Sequence, residues 1–210
     1  MKRLIPFMAA ALLVAGCIDM EPFLYRCMTM GYAKSDGSLR ADDGNTYYFE
    51  GIDVTWKAGD RLLAVMDVTE AIRDSVYKAK NVSVAYPLYK KPIYIAQGQE
   101  VPDTLGHDEI IMNNGWYSGG CLNMLSQIKT VPETGPHIVN LLIEPGTDTL
   151  FFTLKHRSDA EVAKDIALSP YSFYASFPIS EFLPEKDSIA VKIQWFWDGE
   201  DGSVVTKMKR

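Results

Sequence analysis

Ser188-Ile189-Ala190-Val191-Lys192-Ile193-Gln194-Trp195-Phe196-Trp197 is the stretch that decides the fold. Successive side chains of a strand point to opposite faces. Ile189, Val191, Ile193, Trp195 and Trp197 therefore share one side, and Ser188, Ala190, Lys192, Gln194 and Phe196 the other. A helical period would scatter that apolar set around a cylinder, so the stretch reads as a half-buried strand. Residues 198–202 carry turn chemistry and lead into Val204 and Val205, which makes the whole a hairpin.

The same pattern extends towards the N-terminus. Residues 171–179, 150–154 and 137–143 read as strands, with Pro145-Gly146 turning between the last two and a turn-rich loop at 130–136. Ser158 and Glu161 have capping-box spacing before Val162, Ile166 and Leu168, which predicts a short helix or two turns. Residues 116–128 form a long β-like segment interrupted at Gly119-Gly120, and Asn113-Asn114-Gly115 reads as a turn after a short strand at 109–112.

Gly98, Pro102 and Gly106, set among polar and acidic residues, mark a boundary. Before it, residues 46–56 read as a strand that Gly51 bends, with Tyr47 and Phe49 on one side and Tyr48, Ile52, Val54 and Trp56 on the other. Residues 62–66, Leu-Leu-Ala-Val-Met, are apolar without alternation and should be buried on both faces. Residues 69–80 fit either a helix capped by Thr69 or a strand from Val76; the reading favours a short helix or turn, then a strand. Pro87 and Pro92 confine 88–91 to an edge or loop, and 93–96 should close the first unit. The expectation is an all-β chain: a small OB-like barrel over 26–97, a linker over 98–107 and an immunoglobulin-like β-sandwich over 108–210.

The N-terminus carries targeting chemistry. Lys2 and Arg3 precede an apolar run over 4–15 broken only by Pro6, and Val14-Ala15-Gly16-Cys17 follows. A dozen apolar residues fall short of the roughly 20 that span a bilayer and match a secretory signal core. The ending resembles the lipobox of bacterial lipoproteins, which implies a signal peptide over 1–16, a lipidated Cys17 and a tether over 17–25. Without Lys2 and Arg3 the chain holds 19 basic against 27 acidic residues, a balance of −8. With no basic run this excludes an electrostatic footprint for nucleic acid, and it repels anionic lipid, so membrane contact falls to acyl chains. Cys27 and Cys121 are 94 positions apart and are read as free thiols rather than a disulfide.

None of the remaining residues commits to a reaction. His107, His137 and His156 lack the local spacing of zinc ligands. Asp42-Asp43-Gly44-Asn45 and Asp198-Gly199-Glu200-Asp201-Gly202 have the carboxylates for calcium but also the composition of hairpin turns. Ser118 and Cys121 have no neighbouring histidine in sequence. Trp116, Tyr117, Tyr171, Phe173 and Tyr174 are the aromatic residues that fit a ligand surface best, although core or rim packing is the simpler account of them.

Gly59-Asp60-Arg61 at a strand start, Asn114-Gly115-Trp116-Tyr117-Ser118-Gly119 leading to Leu122-Asn123, and Pro136-His137-Ile138-Val139-Asn140-Leu141 resemble the NigD-like lipoproteins of the Bacteroidota. That resemblance implies a lipobox, an OB-like barrel and a C-terminal β-sandwich, and transfers no catalytic residue. Ile18-Asp19-Met20-Glu21 lacks the Lys- and acid-rich stretch that favours surface export, so the membrane face stays open. The expectation is a non-enzymatic protein without cofactors, lipid-anchored to the outer membrane, that binds an envelope protein or serves envelope assembly. The alternatives are a glycan-binding accessory lipoprotein and a hydrolase whose site is assembled by folding.

Overall fold

The computed structural model describes residues 24–96, 98–130, 136–144, 146, 149–158, 168–183 and 188–209. The signal segment, Cys17, most of the tether, residues 131–135 and Glu161, Val162 and Ile166 of the expected helix lie outside the described residues.

The first unit contains β1 (Tyr25–Ala33), β2 (Leu39–Ala41), β3 (Thr46–Phe49), β4 (Arg61–Arg73) and β5 (Val76–Ala85). These strands close into a barrel in the order β1-β2-β3-β5-β4, with β3 and β5 parallel, a five-stranded barrel of the OB type. Its interior is filled by Leu39, Tyr47, Trp56, Leu62, Ala64, Met66 and Val68.

Two readings of this unit change. The strand expected over 46–56 stops at Phe49, because Gly51 adopts a positive φ of 73° and the chain leaves the ladder. That turn brings Trp56 back onto the same side as Phe49, in an edge-to-face contact at 5.4 Å, and its indole N–H donates to the Gly37 carbonyl. There is also no helix over 69–80. β4 continues to Arg73 and turns through Asp74 and Ser75 into β5. Register shifts at Val65/Asp67, Val68/Glu70 and Ala71/Arg73 insert extra residues into the ladder. Each bulge resets the period-two alternation, which is why the sequence there mimics a helical stripe.

The second unit contains β6 (Leu88–Tyr89), β7 (Ile93–Tyr94), β8 (Ile110–Ser118), β9 (Cys121–Thr130), β10 (His137–Glu144), β11 (Thr149–Ser158), β12 (Ser169–Pro178), β13 (Ser188–Trp197) and β14 (Glu200–Lys209). They form one curled sheet in the order β6-β12-β9-β8-β13-β11-β10-β7, with β14 added to β13. The curl encloses a single core built on Leu122, Met124, Leu141, Phe152, Phe177 and Ile193, as the two layers of a sandwich would. The two halves join at Ile110, which pairs with Ile128 of β9 and with Phe196 of β13.

The segment expected to finish the barrel belongs instead to this sheet. Leu88 and Tyr89 pair with β12, and Ile93 and Tyr94 pair with β10, so one short strap touches both outer edges of the curl. Prolines 87 and 92 limit each contact to two residues, as edge prolines do. Asn113-Asn114-Gly115 is a bulge within β8 rather than a turn. The turn falls at Gly119-Gly120, whose φ values of 57° and 77° suit a tight hairpin that twists with its strands. Val191 and Ile193 of the opening stretch are core residues, with Ile189 and Trp195 packed against the same cluster.

Candidate functional site

Two polar clusters stand out. The first lies where the units meet. Arg61, the first residue of β4, is 3% exposed, and its guanidinium makes four hydrogen bonds to oxygen atoms of three side chains. Nη1 and Nη2 donate to the two carboxylate oxygens of Asp42 at 2.6 and 2.7 Å. Nη2 also donates to Asn123 Oδ1 at 2.9 Å, and Nε donates to Ser176 Oγ at 3.1 Å. Ser118 Oγ donates to Asp42 Oδ2 at 2.6 Å, Asn123 Nδ2 donates to Ser118 Oγ at 3.0 Å, and Ser176 Oγ donates to Asn123 Oδ1 at 2.7 Å. Tyr32 covers the guanidinium face at 4.6 Å, and its hydroxyl lies 3.4 Å from Cys121 Sγ.

The register explains how the second unit supplies its share. Trp116, Asn123 and Ser176 occupy one rung across β8, β9 and β12, and odd-even alternation turns that rung away from the core. Asn123 and Ser176 are nonetheless fully buried, because the barrel covers them. Burial opposes the Arg61 charge, and the Asp42 carboxylate more than offsets it, holding the guanidinium above its ordinary range. Desolvation, with hydrogen bonds to Cys121 and Tyr89, pushes the Tyr32 phenol well up. A bidentate, charge-assisted pair of this kind is rigid. A side chain on Gly119 would collide with the Asp42 carboxylate, so that glycine is needed for close approach as well as for its φ.

The polar side chains of this cluster are engaged with one another. Ser118 donates its hydroxyl proton to a carboxylate that also accepts two hydrogen bonds from Arg61. Cys121 is buried beneath Tyr32. The carboxylates of the Asp42-Asp43 turn are engaged in the same way: Asp43 accepts from the Asn45 main-chain N–H and its side-chain amide.

The second cluster is a histidine pair beside a cleft of about 480 Å³. His137 on β10 and His156 on β11 stack at 5.1 Å, with Nδ1 of His137 2.9 Å from Nε2 of His156. His156 Nδ1 lies 3.0 Å from the Glu109 carbonyl and His137 Nε2 lies 2.6 Å from Thr130 Oγ1. A carbonyl only accepts, so His156 carries its proton on Nδ1 and its Nε2 accepts from His137. The neutral pair thus has one consistent arrangement, running Thr130 to His137 to His156 to Glu109. All four ring nitrogens are engaged, and none is left for a metal. His107 borders the same cleft but is exposed and pairs with Asp103 at 3.6 Å. Lys129 at the rim pairs with Glu109 and Asp198, and its ammonium sits 4.9 Å from the Trp197 ring.

Desolvation, together with the neighbouring His137, lowers the His156 pKa below its ordinary 6.5 despite the Glu109 carbonyl. The unfolded chain takes up that proton near 6.5 and the folded chain only at lower pH. Stability is therefore full above about pH 6.5 and is lost as pH falls through the depressed value. Thermal melting of the parent should weaken from pH 7 towards pH 5, and His156→Gln should flatten that slope. An unchanged slope in the variant would assign it to other groups.

The aromatic residues singled out as a ligand surface do not form one platform. Register places Trp116 and Tyr174 on the face turned towards the barrel, on rungs separated by two residues of β9. Tyr117 and Phe173 pack on the opposite face against the core. Tyr171 is 57% exposed near the start of β12. A groove of about 600 Å³ opens between β8 and the β13–β14 hairpin, lined by Met112, Trp116, Tyr117, Trp195, Val204 and Met208. Two of its lining residues, Trp116 and Tyr117, are among the aromatics that the sequence singles out, but the gap itself depends on which strands pair.

No family model matches the sequence, and no curated protein matches it. Solved structures do match over most of the chain. A protein of unknown function (DUF1344) from Bacteroides vulgatus aligns with a TM-score of 0.67 at 16% identity, over 89% of this chain and 92% of its own. A NigD-like immunity protein from Bacteroides caccae aligns at 0.61 and 17% identity, over 87% and 92%. A lipoprotein candidate from Bacteroides fragilis aligns at 0.61 and 12% identity, over 88% and 98%. At these identities the likeness is one of fold, a barrel joined to a curled sheet.

Proposed function

We propose that the chain is a non-catalytic module of the bacterial cell envelope, lipid-anchored through Cys17 to the outer membrane, that works by binding another envelope protein. The observation that carries this reading is the closure of its polar clusters: Arg61, Asp42, Ser118 and the histidine pair bond to one another or to main chain and leave no group poised for a substrate. A two-unit body with a partly apolar groove along one side is suited to presenting a surface. Among proteins of the same fold, one is described as an immunity protein and another as a lipoprotein candidate, which agrees with anchoring and partner binding. Cross-linking of the full chain in its native membrane should recover one envelope protein in constant ratio. Asn113→Arg, at the exposed groove rim on β8, should lower that recovery without changing the melting temperature. Recovery of a polysaccharide in place of a protein, or indifference to Asn113→Arg, would overturn the reading.

A further inference from the structure

β14 is an open edge. Among the described residues it hydrogen-bonds only to β13, along all ten of its residues, and its other side has no partner strand. Residues 203–207 are exposed throughout, and Val205, at 67%, is the most exposed large apolar side chain described. Such an edge offers a row of free main-chain donors and acceptors to any chain that can lie beside it. Proteins commonly blunt these edges with lysine, and β14 carries Lys207 and Lys209. It also carries Glu200 and Asp201 at its other end, so the strand is acidic where it begins and basic where it finishes.

That polarity selects a partner. A parallel neighbour of the same sequence would set like charges side by side, which is destabilising, whereas an antiparallel one sets opposite charges together. We propose that β14 pairs antiparallel with β14 of a second copy of this chain about a two-fold axis at Val204. A perpendicular two-fold requires one residue to face its own counterpart, and with Val204 there, Asp201 falls opposite Lys207 of the second copy, and the converse. Pairing with Phe196 and Ala190 of β13 places Asp201 and Lys207 on the same, solvent-facing side, so the two cross-strand ion pairs form without desolvation. Val204, opposite Ile193, lies on the core-facing side next to the groove, where it meets its counterpart. The pairing consumes both edges at once, so it closes as a dimer and does not propagate into a fibre. An edge of ten residues buries less than the roughly 1,200 Å² of the smallest stable complexes, so the dimer is a weak, reversible one and is best read by trapping.

Directly opposed residues in an antiparallel pair have Cα atoms about 4.5–5.5 Å apart, within disulfide range. The full chain carrying Val204→Cys, expressed and kept in the membrane under mild oxidation, should give a reducible dimer band. Ile72→Cys on the barrel, 46% exposed against 37% for Val204, reports random collision. In the Val204→Cys background, Asp201→Lys or Lys207→Asp should each cut the band about tenfold, since one change replaces both ion pairs by repulsions. The two changes together should restore it. Trapping at Val204 no greater than at Ile72, or no restoration by the double swap, would overturn the proposal. Near-ultraviolet circular dichroism of each variant, unchanged from the parent, separates loss of pairing from loss of fold.

Discussion

Replacing Arg61 by methionine should lower the melting temperature by roughly 10 °C, because breaking a buried ion pair costs about 3–5 kcal/mol and each kcal/mol is worth about 2–4 °C in a chain of this size. The cost does not come mainly from the lost attraction. Methionine fills much of the volume but leaves the Asp42 carboxylate, 6% exposed, with no cation. Ser118 would still donate to it, which is too little to replace a bidentate guanidinium. Arg61→Lys should also be costly, since one ammonium cannot reach two carboxylate oxygens, Asn123 and Ser176 with the geometry of a planar fork. The double variant Arg61→Met with Asp42→Leu should recover a large part of the loss, because it removes both charges together. Calorimetry on the single and double variants decides the matter. A drop of only a degree or two for Arg61→Met would mean that the junction is wet or loosely packed.

Cys17→Ser should abolish membrane anchoring. An acyl chain contributes about 0.8 kcal/mol for each buried methylene, one chain holds a protein only marginally, and two or more hold it firmly. The chain's charge does not supply another anchor. Its acidic balance is repelled by anionic headgroups, and no helix among the described residues is long and apolar enough to cross a membrane. The direct readout is incorporation of labelled palmitate, which the parent should show and the serine variant should lack. The parent should also enter the detergent phase, with the variant staying in the aqueous one. A variant that still took up label would place the acyl chain on another residue.

These two predictions differ in where their information lies. Cys17 is marked by a local pattern, a basic start, an apolar dozen and small residues before a cysteine, and needs no folded structure to be read. Arg61 was visible in sequence only as part of a short Gly-Asp-Arg strand start. Its partners Asp42, Asn123 and Ser176 lie 19, 62 and 115 positions away, and Ser118, which shares Asp42 with it, lies 57 away. Asn123 sits between Leu122 and Met124, and Ser176 between Ala175 and Phe177, so alternation alone assigns both to a solvent-facing side. They are buried because another unit covers that side. Similarly, two fragments that looked like separate motifs, the strand start at Arg61 and the stretch from Asn114 to Asn123, are two halves of one contact.

The sequence by itself determined the all-β class, the two-unit plan and most hairpins, because side-chain alternation and turn chemistry act over a few residues. Gly119-Gly120 and Asp198-Gly199 take positive φ, and each closes a hairpin between strands that the apolar pattern had already marked. Where bulges reset the alternation, in β4 and β8, the local signal inverted and suggested a helix and a turn that do not exist. Tertiary structure alone decided that residues 88–94 strap the second sheet, that His137 and His156 share one hydrogen-bonded chain, and that β14 keeps an open edge. Each of these depends on which strands become neighbours, and pairing partners are selected by the burial of the whole core rather than by any short stretch of chain.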